Sequence, residues 1–186
     1  MRAAVVGLGW WGKVIVKNLA KSDKINVVCG VDQDLSQLKE FGAEYNIELR
    51  DSYASVLSDA SIDSVILATP NRLHHTHIIE AAEAGKFIFC EKPLCLNTKN
   101  AKEAIRSCKE NGIVLGLGHE RRFEPAMKSL FDHVARGDIG RVLHVETNFS
   151  HDLFDNLRKD NWRFNPKDAP GAVSYTHLRA HETQSD

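Results

Sequence analysis

The residues best suited to chemistry near the start of this chain are Gly7, Gly9 and Gly12, spaced as G-x-G-x-x-G. An apolar run precedes them and an amphipathic segment follows, so the context is strand, glycine turn and helix. Gly7 permits a tight turn, Gly9 lets the backbone approach a pyrophosphate, and Gly12 lets the helix sit close to the strand. The motif therefore predicts a dinucleotide site. An ordinary turn in another α/β protein is the alternative.

The remaining positions of this turn and a later aspartate complete the predicted site. We expect the backbone N–H groups of residues 9–12 to face the phosphates at the positive end of the helix. The positions between the glycines are Leu8, Trp10 and Trp11. Asp32 ends a second apolar run about 20 residues on, where a carboxylate binds ribose hydroxyls and repels a 2′-phosphate. The sequence therefore predicts NAD as cofactor, with NADP disfavoured.

A second candidate is Lys92, which follows the apolar run 87–90 and stands between Glu91 and Pro93. Pro93 could lock the lysine so that it points into a cleft, with a Lys92–Pro93 bond that could be cis. An ammonium group there would stabilise a developing alkoxide. It could also share in proton transfer if burial made it less basic. An ordinary exposed lysine is the alternative.

A third cluster follows the apolar run 64–68 and comprises Thr69, Pro70, Asn71 and His74. Open α/β sheets bind ligands beyond the carboxyl ends of their strands. These residues would then contact the ribose or nicotinamide part of the cofactor, with His74 capping or stacking near the nicotinamide. The alternatives are a plain turn with Asn71 starting a helix, and a surface histidine in that helix.

Alternating elements must position these residues. The predicted strands are 2–6, 25–31, 64–68, 87–90 and 113–117, and the predicted helices are 34–44, 74–84 and 98–111. The first of these helices begins with a possible capping box, Asp34-x-x-Gln37. Near-continuous apolar strands that alternate with helices indicate an α/β fold, a doubly wound parallel sheet of the Rossmann type.

The pattern changes after about residue 120. A helix is predicted over 124–136, and residues 141–150 alternate between apolar and polar side chains, as in a strand with one wet face. We expect a dinucleotide-binding domain at 1–120. It would be followed by the start of an incomplete α+β domain at 121–171.

Residues 172–186 are predicted to be foreign to the protein. The letters VSYTHLRAHET, residues 173–183, are the in-frame translation of a common transposon-based library adapter. We therefore expect the native sequence to stop near Gly171 and exclude this tail from fold reasoning.

Composition excludes several classes of protein. The 186 residues are 42% hydrophobic and 26% charged, with a net charge of −1, so nucleic acid and anionic membranes are not expected partners. Apolar runs stay short of the ~20 residues that cross a bilayer, and the chain opens on a strand, so we expect a cytoplasmic protein. The four cysteines lack metal-ligand spacing, so no metal site is predicted. Cys29 and Cys90 are expected to be buried thiols.

Several motifs together resemble the Gfo/Idh/MocA family of oxidoreductases. They are the glycine turn, TPN-x-x-H at 69–74, EKP at 91–93, GHERRFEPA at 118–126 and Asn161-Trp162-Arg163. The resemblance covers residues 1–171. It implies hydride transfer between a sugar, cyclitol or related polyol and a nicotinamide cofactor.

The resemblance also implies roles for individual residues. Lys92 would be catalytic and touch both substrate and cofactor. Glu91 and Arg121 would lie at the cofactor. Arg122, Trp162 and Arg163 would lie at the substrate, although an exposed arginine pair is the alternative at 121–122.

One family residue is missing from these motifs. The family's principal acid/base is a histidine in an Asp-x-x-x-His segment just beyond the glycine-rich stretch, and no histidine here matches it. We therefore expect this chain to bind NAD weakly and to lack turnover, and the full-length protein to be a homo-oligomer. Two alternatives remain open: a non-catalytic NAD-binding regulator, and a hydrolase or lyase that uses NAD transiently.

Overall fold

A six-stranded parallel sheet forms the centre of the computed structural model, which describes residues 1–148, 161–165 and 167–168. Its strands are β1 (Arg2–Val6), β2 (Asn26–Val31), β3 (Glu48–Arg50), β4 (Ser64–Leu67), β5 (Phe87–Glu91) and β6 (Leu115–Gly118). Their order across the sheet is β3-β2-β1-β4-β5-β6. All neighbouring strands are parallel, so their carboxyl ends lie at one edge.

Helices connect the strands and cover both faces of the sheet. They are α1 (Trp10–Leu19), α2 (Lys39–Tyr45), α3 (Tyr53–Leu57), α4 (Asn71–Glu83), α5 (Thr98–Glu110) and α6 (Pro125–Arg136), with 3₁₀ turns at Glu120–Phe123 and Trp162–Phe164. Successive residues of β1 enter different cores. Ala4 and Val6 pack in one cluster with residues of α4 and α5, whereas Ala3 and Val5 pack in another with residues of α1 and α2. The doubly wound α/β fold is thereby confirmed.

Most predicted elements are present, with ends shifted by a few residues. The helix predicted over 34–44 is wrong in its first turn, because α2 begins only at Lys39. The Asp34 carboxylate accepts hydrogen bonds from the backbone N–H and the hydroxyl of Ser36, at 2.9 and 2.5 Å, instead of capping a helix. Aspartate favours such local turns over helix interiors.

Two short elements, β3 and α3, were not predicted. β3 has three residues and α3 has five, so neither is long enough to show a clear apolar period. β3 forms the sheet edge beside β2, and Arg50 at its end pairs with Glu48 and Asp59, both at 2.8 Å.

The strand predicted over 141–150 is not formed in its described part, residues 141–148. Leu143 and Val145, which belong to the apolar side of the alternation, are 86% and 72% exposed. Alternation marks the faces of a strand, but a strand also needs a paired neighbour, and residues 141–148 pair with no strand of the described chain. Residues 149–150 and the predicted tail at 172–186 lie outside the described residues.

Candidate functional site

The candidate site lies at the carboxyl edge of the sheet, where four of the predicted segments meet. These are the glycine turn after β1, Asp32 after β2, Thr69–Asn71 after β4 and Glu91–Pro93 at the end of β5. Because β2, β1, β4 and β5 are consecutive neighbours in the sheet, the four segments form one continuous row. Ligands of open parallel sheets bind at such an edge.

The glycine turn is tight where the motif predicts it and open where a ligand would lie. Gly7 has φ = +92°, and a Cβ atom at Gly12 would lie 1.8 Å from the carbonyl oxygen of Gly7. A side chain at Gly12 would therefore force α1 away from β1. A Cβ at Gly9, in contrast, would have no described atom within 4 Å, so this turn leaves a cradle open at Gly9.

Helix α1 starts directly at this cradle. Its first turn closes with the hydrogen bond from Lys13 N–H to the Gly9 carbonyl at 3.0 Å. Three backbone N–H groups, those of Trp10, Trp11 and Gly12, come before this first hydrogen bond of α1, so they have no acceptor inside the helix. An anion in front of them would therefore be stabilised. The Trp10 side chain is 69% exposed and its ring centroid lies 5.3 Å from that of Trp11.

Asp32 stands beside the turn, as predicted, and already holds part of it. One carboxylate oxygen accepts a hydrogen bond from the Leu8 N–H at 2.8 Å, and the other lies 3.4 Å from the amide of Asp34. The Leu8 amide is therefore used within the protein, and the Leu8 side chain is buried. The Leu8 side chain packs beneath the turn, and its predicted contact with the cofactor stays a prediction.

The segment after β4 lies against the glycine turn. A Cβ atom at Gly7 would lie only 2.7 Å from the carbonyl oxygen of Ala68. Thr69 follows, and its hydroxyl oxygen lies 3.4 Å from Nδ1 of His77. Pro70 is the N-cap of α4 and Asn71 is its first residue. The predicted turn and the predicted helix start are thus both present, at the edge of the site.

His74 lies inside the protein, between two strand ends. It is 0% exposed, so the alternative of a surface histidine is wrong, and its predicted contact with the cofactor stays a prediction. Its Nδ1 lies 2.7 Å from the carbonyl oxygen of Pro93, and its Nε2 lies 3.0 Å from that of Thr69. Burial lowers the pKa of His74, while the two carbonyls and the nearby Glu91 carboxylate act in the opposite direction.

The Glu91–Pro93 segment ends β5, and its Lys92–Pro93 peptide bond is cis. The Glu91 side chain is buried, and its carboxylate accepts a hydrogen bond from the Lys92 N–H at 3.3 Å. A Cβ atom at Gly118 would lie 2.8 Å from this carboxylate, so the end of β6 is pressed against it. Lys92 itself is exposed. Its predicted role in proton transfer stays a prediction.

Arg121 and Arg122 lie in the 3₁₀ turn that follows β6, at the same edge of the sheet. Both are exposed. The Arg121 guanidinium donates to the Glu124 carboxylate at 3.2 Å, and that of Arg122 lies 5.8 Å from the ring centroid of Phe123. Their predicted contacts with cofactor and substrate stay predictions.

Trp162 and Arg163 are stacked on each other, with the guanidinium 4.6 Å from the indole centroid. An ion pair of 2.5 Å joins Asp168, a few residues on, to Arg72 in the first turn of α4. This pair brings the end of the described chain to the helix that carries Asn71. Sequence reasoning missed both partners, because nothing in their spacing links residues so far apart in the chain.

Cysteine and metal chemistry find no support among the described residues. Burial raises the pKa of Cys29 to about 11 and raises that of Cys90 as well, so both thiols stay protonated and unreactive at neutral pH. No group of three or more His, Cys, Asp or Glu residues in the described ranges could hold a metal ion. In the same ranges, every helix is too short or too polar to cross a membrane.

Comparison with known proteins identifies the family. Residues 1–119 match the family described as "Oxidoreductase family, NAD-binding Rossmann fold", GFO_IDH_MocA. That range is more than half of the 186 residues. The chain belongs to the Gfo/Idh/MocA oxidoreductase family. Membership confirms the family resemblance, the Rossmann-type sheet and NAD as the cofactor of the fold.

Comparison with three relatives shows what share of their length this chain covers. The chain is 38% identical over 149 residues to scyllo-inositol 2-dehydrogenase (NAD(+)) of Bacillus subtilis strain 168, covering 78% of this chain and 43% of that protein. A structure described as an NADPH-dependent oxidoreductase of Desulfitobacterium hafniense DCB-2 aligns with TM-score 0.83 and 30% identity, over 92% of this chain and 49% of that one.

The third is scyllo-inositol dehydrogenase of Lactobacillus casei, solved with bound NAD(H) and scyllo-inositol. It aligns with TM-score 0.71 and 26% identity, over 75% of this chain and 42% of that one. The chain thus spans less than half the length of each of these three proteins.

Proposed function

We propose that the protein containing this chain is an NAD-dependent dehydrogenase of a polyol or sugar. One observation carries the proposal. The anion cradle after β1 and the Lys92 segment after β5 lie at the same sheet edge, on either side of the segment after β4. A dinucleotide bound along this edge would have its diphosphate at the cradle and its far end near Lys92.

The residues of the cradle fit the diphosphate and ribose of NAD. The open space at Gly9 admits the phosphates, and the amides at the start of α1 donate to them. Asp32 is fixed beside them by the Leu8 amide. Its negative charge would repel a 2′-phosphate, and Gln33 follows where an arginine would favour one. We therefore infer a preference for NAD over NADP.

Lys92 is the proposed catalytic residue of the chain. Its exposed ammonium group, at the strand end beside the cofactor site, would stabilise negative charge that develops on a substrate hydroxyl oxygen. NAD, when bound, supplies the hydride acceptor. No histidine of this sequence matches the acid/base histidine that the family resemblance implies, so turnover is proposed for the protein that contains this chain.

The substrate side of the proposal rests on relatives and on the Trp162–Asp168 segment. Two of the three relatives act on or bind scyllo-inositol by name, which favours a cyclic polyol. Trp162, Arg163 and Arg122 are the proposed substrate contacts. The Arg72–Asp168 ion pair supports the proposed roles of Trp162 and Arg163, because it connects the segment that contains them to the start of α4.

Cofactor binding by this chain is the first test. We expect NADH to bind more tightly than NADPH in a titration followed by tryptophan fluorescence. The Gly9→Ala variant should weaken NADH binding by about tenfold or more, because its methyl group occupies the phosphate space. Its free energy of unfolding should change by no more than about 0.5 kcal/mol, because the methyl contacts no protein atom.

Gly85→Ala is the matched control, since Gly85 lies at the opposite edge of the sheet, between α4 and β5. A Cβ there also meets open space, but φ is +72°. The variant should lose about 1–2 kcal/mol of stability and keep its NADH affinity. Failure of the wild-type chain to bind NADH, or equal affinity for NADH and NADPH, would contradict the proposal.

Turnover is the second test and requires the longer protein. With scyllo-inositol and myo-inositol as trial substrates, the Lys92→Met variant should have a kcat lower by about tenfold or more. Unchanged kcat would remove Lys92 from the mechanism. Turnover of a substrate without net reduction of NAD would indicate the hydrolase or lyase alternative instead.

A further inference from the structure

His74 bridges two segments of the site that belong to different strands. Its ring lies between the carbonyl oxygen of Thr69, just after β4, and that of Pro93, just after β5. Thr69 and Pro93 flank the two proposed contact points of the cofactor's nicotinamide end, Asn71 and Lys92. The ring is thus the physical link between these segments.

The protonation state of the ring decides which of the two carbonyls receives a hydrogen bond. Both are backbone carbonyls, which only accept hydrogen bonds. A neutral imidazole donates to one of them, and which one depends on its tautomer. A ring with hydrogen on both nitrogens would donate to both. In every state the rigid, planar ring fills the space between the segments, so it fixes their separation.

The surroundings shield the ring from solvent. It is completely buried, so no solvent or ligand competes for its nitrogens. Buried polar groups are held in place when their hydrogen bonds are satisfied, and a partner left unsatisfied is costly. Replacing the ring nitrogens by carbon would remove every hydrogen bond that the ring donates to these carbonyls, and the two segments would be free to separate.

We propose that His74 is a positioning residue, which holds the Thr69–Asn71 and Lys92–Pro93 segments at the spacing that the nicotinamide half of the cofactor requires. It does not touch the cofactor. This inference rests on the proposed function, because it assigns the nicotinamide to these two segments and the diphosphate to the glycine turn.

Two ligands separate this role from a general structural one. ADP-ribose contains the adenosine, the diphosphate and the second ribose of NADH and lacks only the nicotinamide ring, so comparing the two ligands isolates the contacts that the nicotinamide makes. NADH reports on both halves of the site. A residue that merely stabilises the fold would change the affinity of both ligands together.

The experiment titrates both ligands into this chain and into variants whose folding is verified by circular dichroism. His74→Phe keeps a ring but has no nitrogen that could donate a hydrogen bond to either carbonyl. We expect its Kd for NADH to rise by about fivefold or more while its Kd for ADP-ribose stays within about twofold. His74→Asn and His74→Gln each place an amide nitrogen near one ring-nitrogen position. At least one should restore the NADH Kd to within about twofold of wild type.

His75→Phe is the matched control. His75 is the neighbouring residue of α4, and its Nε2 lies 3.3 Å from the Glu103 carboxylate on α5, away from both segments. Its two Kd values should equal those of wild type. Equal losses for NADH and ADP-ribose in His74→Phe, or no loss, would overturn the positioning role alone. A wild-type chain that binds neither ligand would overturn the proposed function, and this inference with it.

Discussion

Helices α5 and α6 are both amphipathic and similar in length, but they have very different surroundings. α5 has 13 residues and α6 has 12, and each carries its apolar side chains on one stripe. α5 lies on the sheet, where Ala104 and Cys108 are buried in the core with residues of α4. α6 follows the sheet and buries none of its residues within the described chain.

The uncovered stripe of α6 consists of Met127, Leu130, Phe131 and Val134, and we call it the α6 face. The difference between the two helices shows that an amphipathic pattern indicates which face of a helix can be buried. Whether that face is buried depends on a neighbouring element that covers it. Stability in this chain should therefore come from the region up to Gly118, and substitutions on the α6 face should cost little.

Ile78→Ala is expected to have the largest effect. Ile78 lies on α4 at 0% exposure, in the core that α5 also covers. Truncation removes buried methyl groups and leaves a cavity, so the free energy of unfolding should fall by about 2–5 kcal/mol. Urea unfolding followed by circular dichroism measures this value. A loss below about 1 kcal/mol would mean that this core is looser than its burial indicates.

His77 should give a smaller effect that depends on pH. Burial lowers its pKa from 6.5 to about 4, and its ring packs on Tyr53 with centroids 4.5 Å apart. Between these two pH values the unfolded chain holds the extra proton and the folded chain does not. Stability should therefore be full above pH 6.5 and fall as the pH is lowered toward 4.

His77→Phe keeps a ring against Tyr53 but cannot titrate. The loss of stability between pH 6.5 and 4 should shrink by about 1 kcal/mol or more. Part of the slope will remain, because burial lowers the pKa of His74 as well. Urea unfolding at several pH values measures both slopes, and identical slopes in the two proteins would refute the assignment to His77.

Leu130→Ala should have the smallest effect. It shortens an apolar side chain that is 50% exposed on the α6 face, so the free energy of unfolding should change by no more than about 0.5 kcal/mol. The same urea experiment as for Ile78→Ala applies. A loss comparable to that of Ile78→Ala would show that the α6 face is covered in solution, and the contrast between the two helices would then fail.

Much of the fold was predictable from the sequence because its signals are local. The apolar runs of β1, β2, β4 and β5 stand out without any knowledge of their neighbours, and the glycine caps mark the ends of α4, α5 and α6. Elements as short as β3 show no period, so they escape such reasoning. The strand predicted over 141–150 had the right pattern but no neighbouring strand among the described residues.

The candidate site divides in the same way. By itself the sequence determined the glycine turn, the acidic residue at Asp32 and the lysine at a strand end, because each depends on spacing within a few residues or on a strand boundary. Only the tertiary structure decided that Leu8 packs under the turn, that Arg72 pairs with Asp168, and that His74 joins two strand ends. Hydrogen bonds and burial between distant segments depend on how the chain folds back on itself, and residue spacing does not encode them.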